Sequence, residues 1–111
     1  MGGAANLILG DAAGDTDHAH LGGGAHNHIT ASTFGVIVGG LWNNVLNSRH
    51  SGIVGGIQNI HDYSVLGHIG GGSGNTIVKG AYLTQTENST LVGGRDNIIS
   101  GSTNSFIGGG N

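Results

Sequence analysis

Leu21, Ile29, Ile37, Val45 and Ile53 follow one another at intervals of eight residues, and the spacing resumes at Ile69 and Ile77 and again at Leu91, Ile99 and Ile107. These positions alternate between two contexts. Leu21, Ile37, Ile53, Ile69, Leu91 and Ile107 are each followed two residues later by a glycine pair, of which Gly39-Gly40, Gly55-Gly56, Gly71-Gly72 and Gly93-Gly94 are examples. Three residues beyond the pair stands an asparagine (Asn43, Asn59, Asn75, Asn97), and the second core position, aliphatic except at His61, lies two positions further on. The full period is therefore 16 residues, with starting points at 19, 35, 51, 67, 89 and 105, and one step, from 67 to 89, lengthened to 22. A fixed period in this range marks a stacked repeat architecture.

The local chemistry predicts two short strands and two turns per repeat. A strand alternates its faces every second residue, so the aliphatic residues of the two halves face each other across a thin core. Glycine ends the first strand where a turn needs conformations closed to residues with a Cβ, and asparagine tolerates such turns and bonds to them. Ser32, Ser48, Ser64, Gly80 and Ser102 mark the second turn. The expected fold is all-β, a parallel β-solenoid of the β-roll kind. Its 16-residue coils would stack like on like at roughly 4.8 Å per coil.

Residues 1–18 do not show the period clearly and are expected to form an irregular cap or attachment segment, with the coils running over 19–111. The six additional residues of the long step are assigned to an insertion at 83–88, whose Gln85, Glu87 and Asn88 are candidates for contact with a partner. A core two side chains thick buries little apolar surface in a chain of 111 residues. The outward positions of one wall carry Val36, Val38, Val54, Val92 and Phe106. An exposed apolar stripe of that kind marks an association surface, and rotational symmetry closes it, so a homotrimer with this wall near the axis is expected.

The run Ser51-Gly-Ile-Val-Gly-Gly-Ile-Gln-Asn59, repeated from Ser89 to Asn97, resembles the head repeats of trimeric autotransporter adhesins and the similar repeats of phage tail fibres and spikes. The resemblance implies a trimeric β-roll that projects from a surface and binds a host. Its partners would be other virion or surface subunits and a host-surface glycan or protein. The opening Met1-Gly-Gly-Ala-Ala-Asn6 has neither the basic start nor the apolar run of a secretory signal, which favours the virion surface over the bacterial cell surface.

Composition narrows the function classes. Three Lys plus Arg at a formal charge of −3 argue against nucleic acid as partner. No run reaches the roughly 18 apolar residues of a membrane span. Twenty-five glycines without proline or a period of three exclude collagen, and the absence of cysteine excludes a disulfide scaffold. An enzyme is not expected. A solenoid cutting polysaccharide would need clustered carboxylates, and Asp11, Asp15, Asp17, Asp62, Glu87 and Asp96 are scattered. No cofactor is expected beyond one candidate metal site, the His18-Ala-His20 and His26-Asn-His28 pairs. Repeated around a threefold axis, these could supply nitrogens to a transition metal. His61 takes a core position and reads as a histidine whose hydrogen bonds are satisfied internally.

Overall fold

The computed structural model describes residues 3–10, 18–79 and 86–111. Among these residues every regular element is a strand: β1 (Leu7–Leu9), β2 (His20–Leu21), β3 (His28–Thr30), β4 (Val36–Ile37), β5 (Asn44–Leu46), β6 (Gly52–Ile53), β7 (Ile60–Asp62), β8 (Ser64–Val65), β9 (His68–Ile69), β10 (Thr76–Val78), β11 (Thr86–Glu87), β12 (Thr90–Leu91), β13 (Ile98–Ser100) and β14 (Phe106–Ile107). They form two six-stranded parallel sheets, β1-β3-β5-β7-β10-β13 and β14-β12-β9-β6-β4-β2, with β8 and β11 as a third short pair. The chain crosses from one sheet to the other every eight residues or so, which gives a solenoid-like stack.

Register follows the period. Ile8, Ile29, Val45, His61, Ile77 and Ile99 pair in line on the first sheet. On the second, Leu21, Ile37, Ile53, Ile69, Leu91 and Ile107 do the same. These two rows meet in the core. Leu21, Ile29, Ile37, Val45, Ile53, Ile69, Ile77, Leu91 and Ile99 are buried, and Ile8 and Ile107 pack against them half-covered.

The corners between the sheets are sharper than a simple turn. His26, Trp42 and Gln58 at one corner, and His18, Phe34, His50 and Leu66 at the other, all have positive φ, between 50° and 60°. That conformation is unfavourable for bulky residues, and here it redirects the backbone. Leu41 N–H donates forward to Gly56 O, whereas Trp42 N–H donates backward to Ala25 O at 3.1 Å. Likewise Arg49 bonds forward to Ser64 O, and His50 bonds backward to Thr33 O. Adjacent corner amides thus serve the coils on both sides, and the strain is set against the backbone hydrogen bonds it allows to both neighbours.

Asparagine does more than tolerate a turn. Asn27, Asn43, Asn59 and Asn75 have no exposed surface, and the left-handed residue is the one before each of them. Asn59 Nδ2 donates to Gly55 O at 3.0 Å in its own turn and to Gly72 O at 3.2 Å in the next coil. Its Oδ1 accepts the Asn75 backbone N–H at 3.0 Å. The same bonds link Asn6, Asn27, Asn43, Asn75 and Asn97 into one internal ladder. Ser32, Ser48 and Ser64 form a second, shorter rank, in which Ser48 N–H and Ser64 N–H each donate to the serine hydroxyl of the preceding coil at 3.2 Å.

Two boundaries differ from the sequence expectation. Ala4 bridges to Ala25 and β1 pairs with β3, so residues 3–9 are a regular part-coil of the stack rather than an irregular segment. Thr86 pairs with Ser64 and Glu87 with Val65, and Asn88 N–H donates to Val65 O. Residues 86–88 therefore occupy the serine corner of their coil. The six additional residues of the long step are 80–85 instead of 83–88, because Ser64 is matched by Thr86 and not by Gly80. Of the residues assigned to the insertion, 83–85, which include the candidate Gln85, lie outside the described residues.

Candidate functional site

Among the described residues, side chains that leave the core do so on the two outer sheet faces and at the corners, and candidate recognition residues are sought there. On the outer face of β2, β4, β6, β9, β12 and β14, and at the residues just after these strands, Val38 is 55% exposed, Val54 54%, Val92 49% and Phe106 68%. Val36 is half-buried. The opposite sheet is not purely polar, since Leu7, Leu9 and Ile98 are exposed too. Apolar surface therefore lies on both walls, at the two ends of the β1-to-β13 sheet and along the valine row of the other.

At the corners, rings stack in line with the coils. His26 lies on Trp42 with centroids 4.2 Å apart and planes within 5°. On the other corner Phe34 is sandwiched between His18 and His50, each at 4.8 Å. Parallel register brings residues of successive coils directly over one another, so two planar side chains at one corner position have little choice but to stack. Nearby, the Lys79 ammonium stands 4.4 Å over the Tyr63 ring, a cation–π contact.

These positions change the reading of the His-x-His pairs. The two-residue spacing would put both rings on one strand face only in extended chain. His18 and His26 instead sit at left-handed corners, engaged with Phe34 and Trp42. His20 is on β2 and His28 on β3, strands of different sheets. Among the described residues of one chain, no group of three or more His, Cys, Asp and Glu side chains comes together to hold a metal ion. Glu87 and Asn88, read as loop residues, are exposed members of the serine corner.

His61 is fully buried on β7, in the row otherwise filled by Ile and Val. The Gly52 carbonyl, 3.2 Å from Nε2, can only accept, so Nε2 carries the proton and Nδ1 accepts the Ser64 hydroxyl at 2.8 Å. Room for the ring comes from Gly67, where a Cβ would stand 2.6 Å from His61 Cε1. Burial pushes this imidazole down to about 3. The hydrogen bond to Gly52 opposes that, and His68 adds to it. A serine beside a histidine suggests nucleophile activation, but both residues are sealed from solvent, and a substrate cannot reach Ser64 Oγ.

An open concavity of about 510 Å³ lies at the last coil, lined by Ile98, Ile99, Ser100, Ser102, Ser105, Phe106 and Ile107. Its lining includes the core residues Ile99 and Ile107 of the last described coil. Comparison of the chain with protein-family models, with curated proteins and with solved structures gave no match.

The corrected insertion carries a prediction. Removing residues 80–85 should join Lys79 to Thr86 at the 16-residue period and leave the β-sheet circular dichroism spectrum and thermal midpoint within a few degrees of wild type. A collapse of secondary structure in that variant would show that Thr86–Asn88 do not hold the register described.

Proposed function

We propose that this chain is a non-enzymatic structural and adhesive protein: a β-roll of 16-residue coils that associates as a homotrimer through the valine wall. In this reading it projects from a virion as a spike, fibre or decoration element and serves in host attachment. The observation that supports the reading most is the wall formed by Val38, Val54 and Val92, each about half exposed at the same position just after β4, β6 and β12, with Gly70 between the last two and the exposed Phe106 in the neighbouring row opposite Thr90. A thin two-sheet stack gains little from its own core, and burying such a row against symmetry copies adds apolar contact where the chain needs it. Successive coils meanwhile hold corner side chains at fixed spacing, which suits a rigid surface carried outward to meet a receptor.

The wall assignment can be tested by charge. Val54→Asp should abolish association, because each copy would bring an unpaired carboxylate into the interface. Ile98→Asp, on the opposite sheet at 64% exposure, should leave association unchanged. Equal behaviour of the two variants in sedimentation would remove the valine wall from the interface. Attachment is read separately, by incubating labelled wild-type protein with intact bacterial cells and with immobilised surface polysaccharides. Saturable binding is expected; an assembled trimer that binds neither would have a structural role without an adhesive one.

A further inference from the structure

We propose that the coil 51–66 carries an acid-operated switch in its core, in which protonation of the sealed His61 ring separates the β-stack at that coil. The geometry is specific to this coil. In the core row of the first sheet, Ile8, Ile29, Val45, Ile77 and Ile99 are aliphatic and only His61 can take a charge. A polar cluster has been built around it: Ser64 Oγ at 2.8 Å, with Ser48 Oγ and Ser51 Oγ each 3.4 Å from Ser64 Oγ, and the Gly52 carbonyl on the far nitrogen. Gly67 supplies the space, and a serine or alanine side chain there would collide with the ring.

What faces the ring decides the sign. Val45 on β5 and Ile77 on β10, above and below, carry no charge, and β6 contributes Gly52 and Ile53. From the corner, Ser64 touches the ring and Ser48 and Ser51 touch Ser64, while Arg49 and His50 of the same corner are not among the groups that shift it. His68 on β9 is the ionisable group that acts on His61, and it disfavours a second positive charge. Asp62, next along β7, belongs to the outer face by strand alternation. The hydrogen bonds could adapt to protonation, since the Ser64 hydroxyl can accept as well as donate. The buried charge cannot be offset by a carboxylate among the described residues around the ring.

The folded chain therefore holds this histidine neutral where the unfolded chain protonates it. Below pH about 6.5 the unfolded state binds the additional proton, so stability is fully present above that pH and is lost as the pH falls towards about 3. Each pH unit within the window lowers the folded-to-unfolded ratio about tenfold. Because coils bind only their neighbours, the loss is concentrated where the ring sits.

The test compares wild type with His61→Val, the residue already present at Val45. Urea unfolding is followed at fixed chain concentration between pH 7.5 and 4.5, with hydrogen exchange resolved by coil. His61→Val should lose some stability at pH 7.5 through the gap left beside Gly67. From pH 6 to 4.5 the wild-type folded-to-unfolded ratio should fall about 25-fold more than that of the variant. Acid should also release amide protection in residues 51–66 before the coils on either side. If His61→Val does not fold, NMR titration of the wild-type imidazole decides. A ring that stays neutral in the folded protein at pH 5 supports the switch, and one that protonates near pH 6.5 while the fold persists overturns it. Equal acid slopes in wild type and variant would also overturn it.

Discussion

Gly56→Ala should unfold the chain or cost roughly 3–5 kcal/mol, while Gly55→Ala, one residue earlier, should fall within about 0.5 kcal/mol of wild type. Both glycines belong to the same pair, so the contrast isolates geometry from composition. Gly56 has φ of 93°, and a Cβ there would press into the Gly72 carbonyl oxygen of the next coil and stand 2.6 Å from Asn59 Nδ2. Neither neighbour can move cheaply. The Gly72 oxygen accepts the Ile57 backbone N–H at 2.9 Å and the Asn59 amide at 3.2 Å, so relieving the clash breaks the ladder between two coils. At Gly55 an added Cβ meets nothing within 4 Å, and φ lies outside the positive region. Urea titration of the two variants reads the difference directly. Similar losses in both would show that the coil spacing at this corner is wrong.

Asn59→Ala should cost about 2–4 kcal/mol, more than an ordinary surface deletion, because the side chain serves three coils. Its loss orphans the Asn75 backbone N–H, removes the internal acceptor–donor link to Asn43 Oδ1 at 3.1 Å, and leaves the Gly55 carbonyl without its amide. Asn59→Asp makes the prediction sharper. The carboxylate keeps an acceptor for Asn75 but turns an oxygen towards the Gly55 and Gly72 carbonyls and places a charge where exposure is zero. It should be at least as destabilising as alanine at neutral pH. Thermal melts of both variants check this, and an Asp variant as stable as wild type would contradict the buried ladder.

The stack and its core were legible in the sequence because the physical rule behind them is rigid. Parallel stacking makes every coil repeat its predecessor's constraints, so Leu21, Ile37 and Ile53 recur at one interval and Ile29 and Val45 at the same interval half a period away. Asparagine was visible as a residue type but its role was not. Its usual preference for left-handed turns says nothing of burial, and here the left-handed burden falls on His26, Trp42 and Gln58, whose side chains give no hint of it. The part-coil at residues 3–9 carries the same signal: Gly2-Gly3 is followed three residues later by Asn6, as in the coils starting at 19, 35, 51, 67 and 89, with Ile8 as the next core residue. The longer step from Ala4 to Ala25 hid it. The insertion was displaced because Gly80 satisfies the small-residue pattern of the serine corner as well as Thr86 does, and only strand pairing separates them. The His-x-His reading relied on extended backbone at two positions that are corners.

Outer-face chemistry was the least legible. The valine row is readable as an apolar pattern, but Leu7, Leu9 and Ile98 expose comparable side chains on the other wall, and sequence spacing alone cannot rank two half-apolar faces. Association energy depends on how well a surface closes on copies of itself, which a single chain does not encode position by position.

Sedimentation equilibrium with parallel circular dichroism, across chain concentrations from nanomolar to micromolar, tests the proposed account most directly. It should show a single β-rich species of about 33 kDa, three chains of 11.0 kDa each, with the β signal lost in step with the mass on dilution. A stable, fully folded species at 11.0 kDa throughout that range would contradict it.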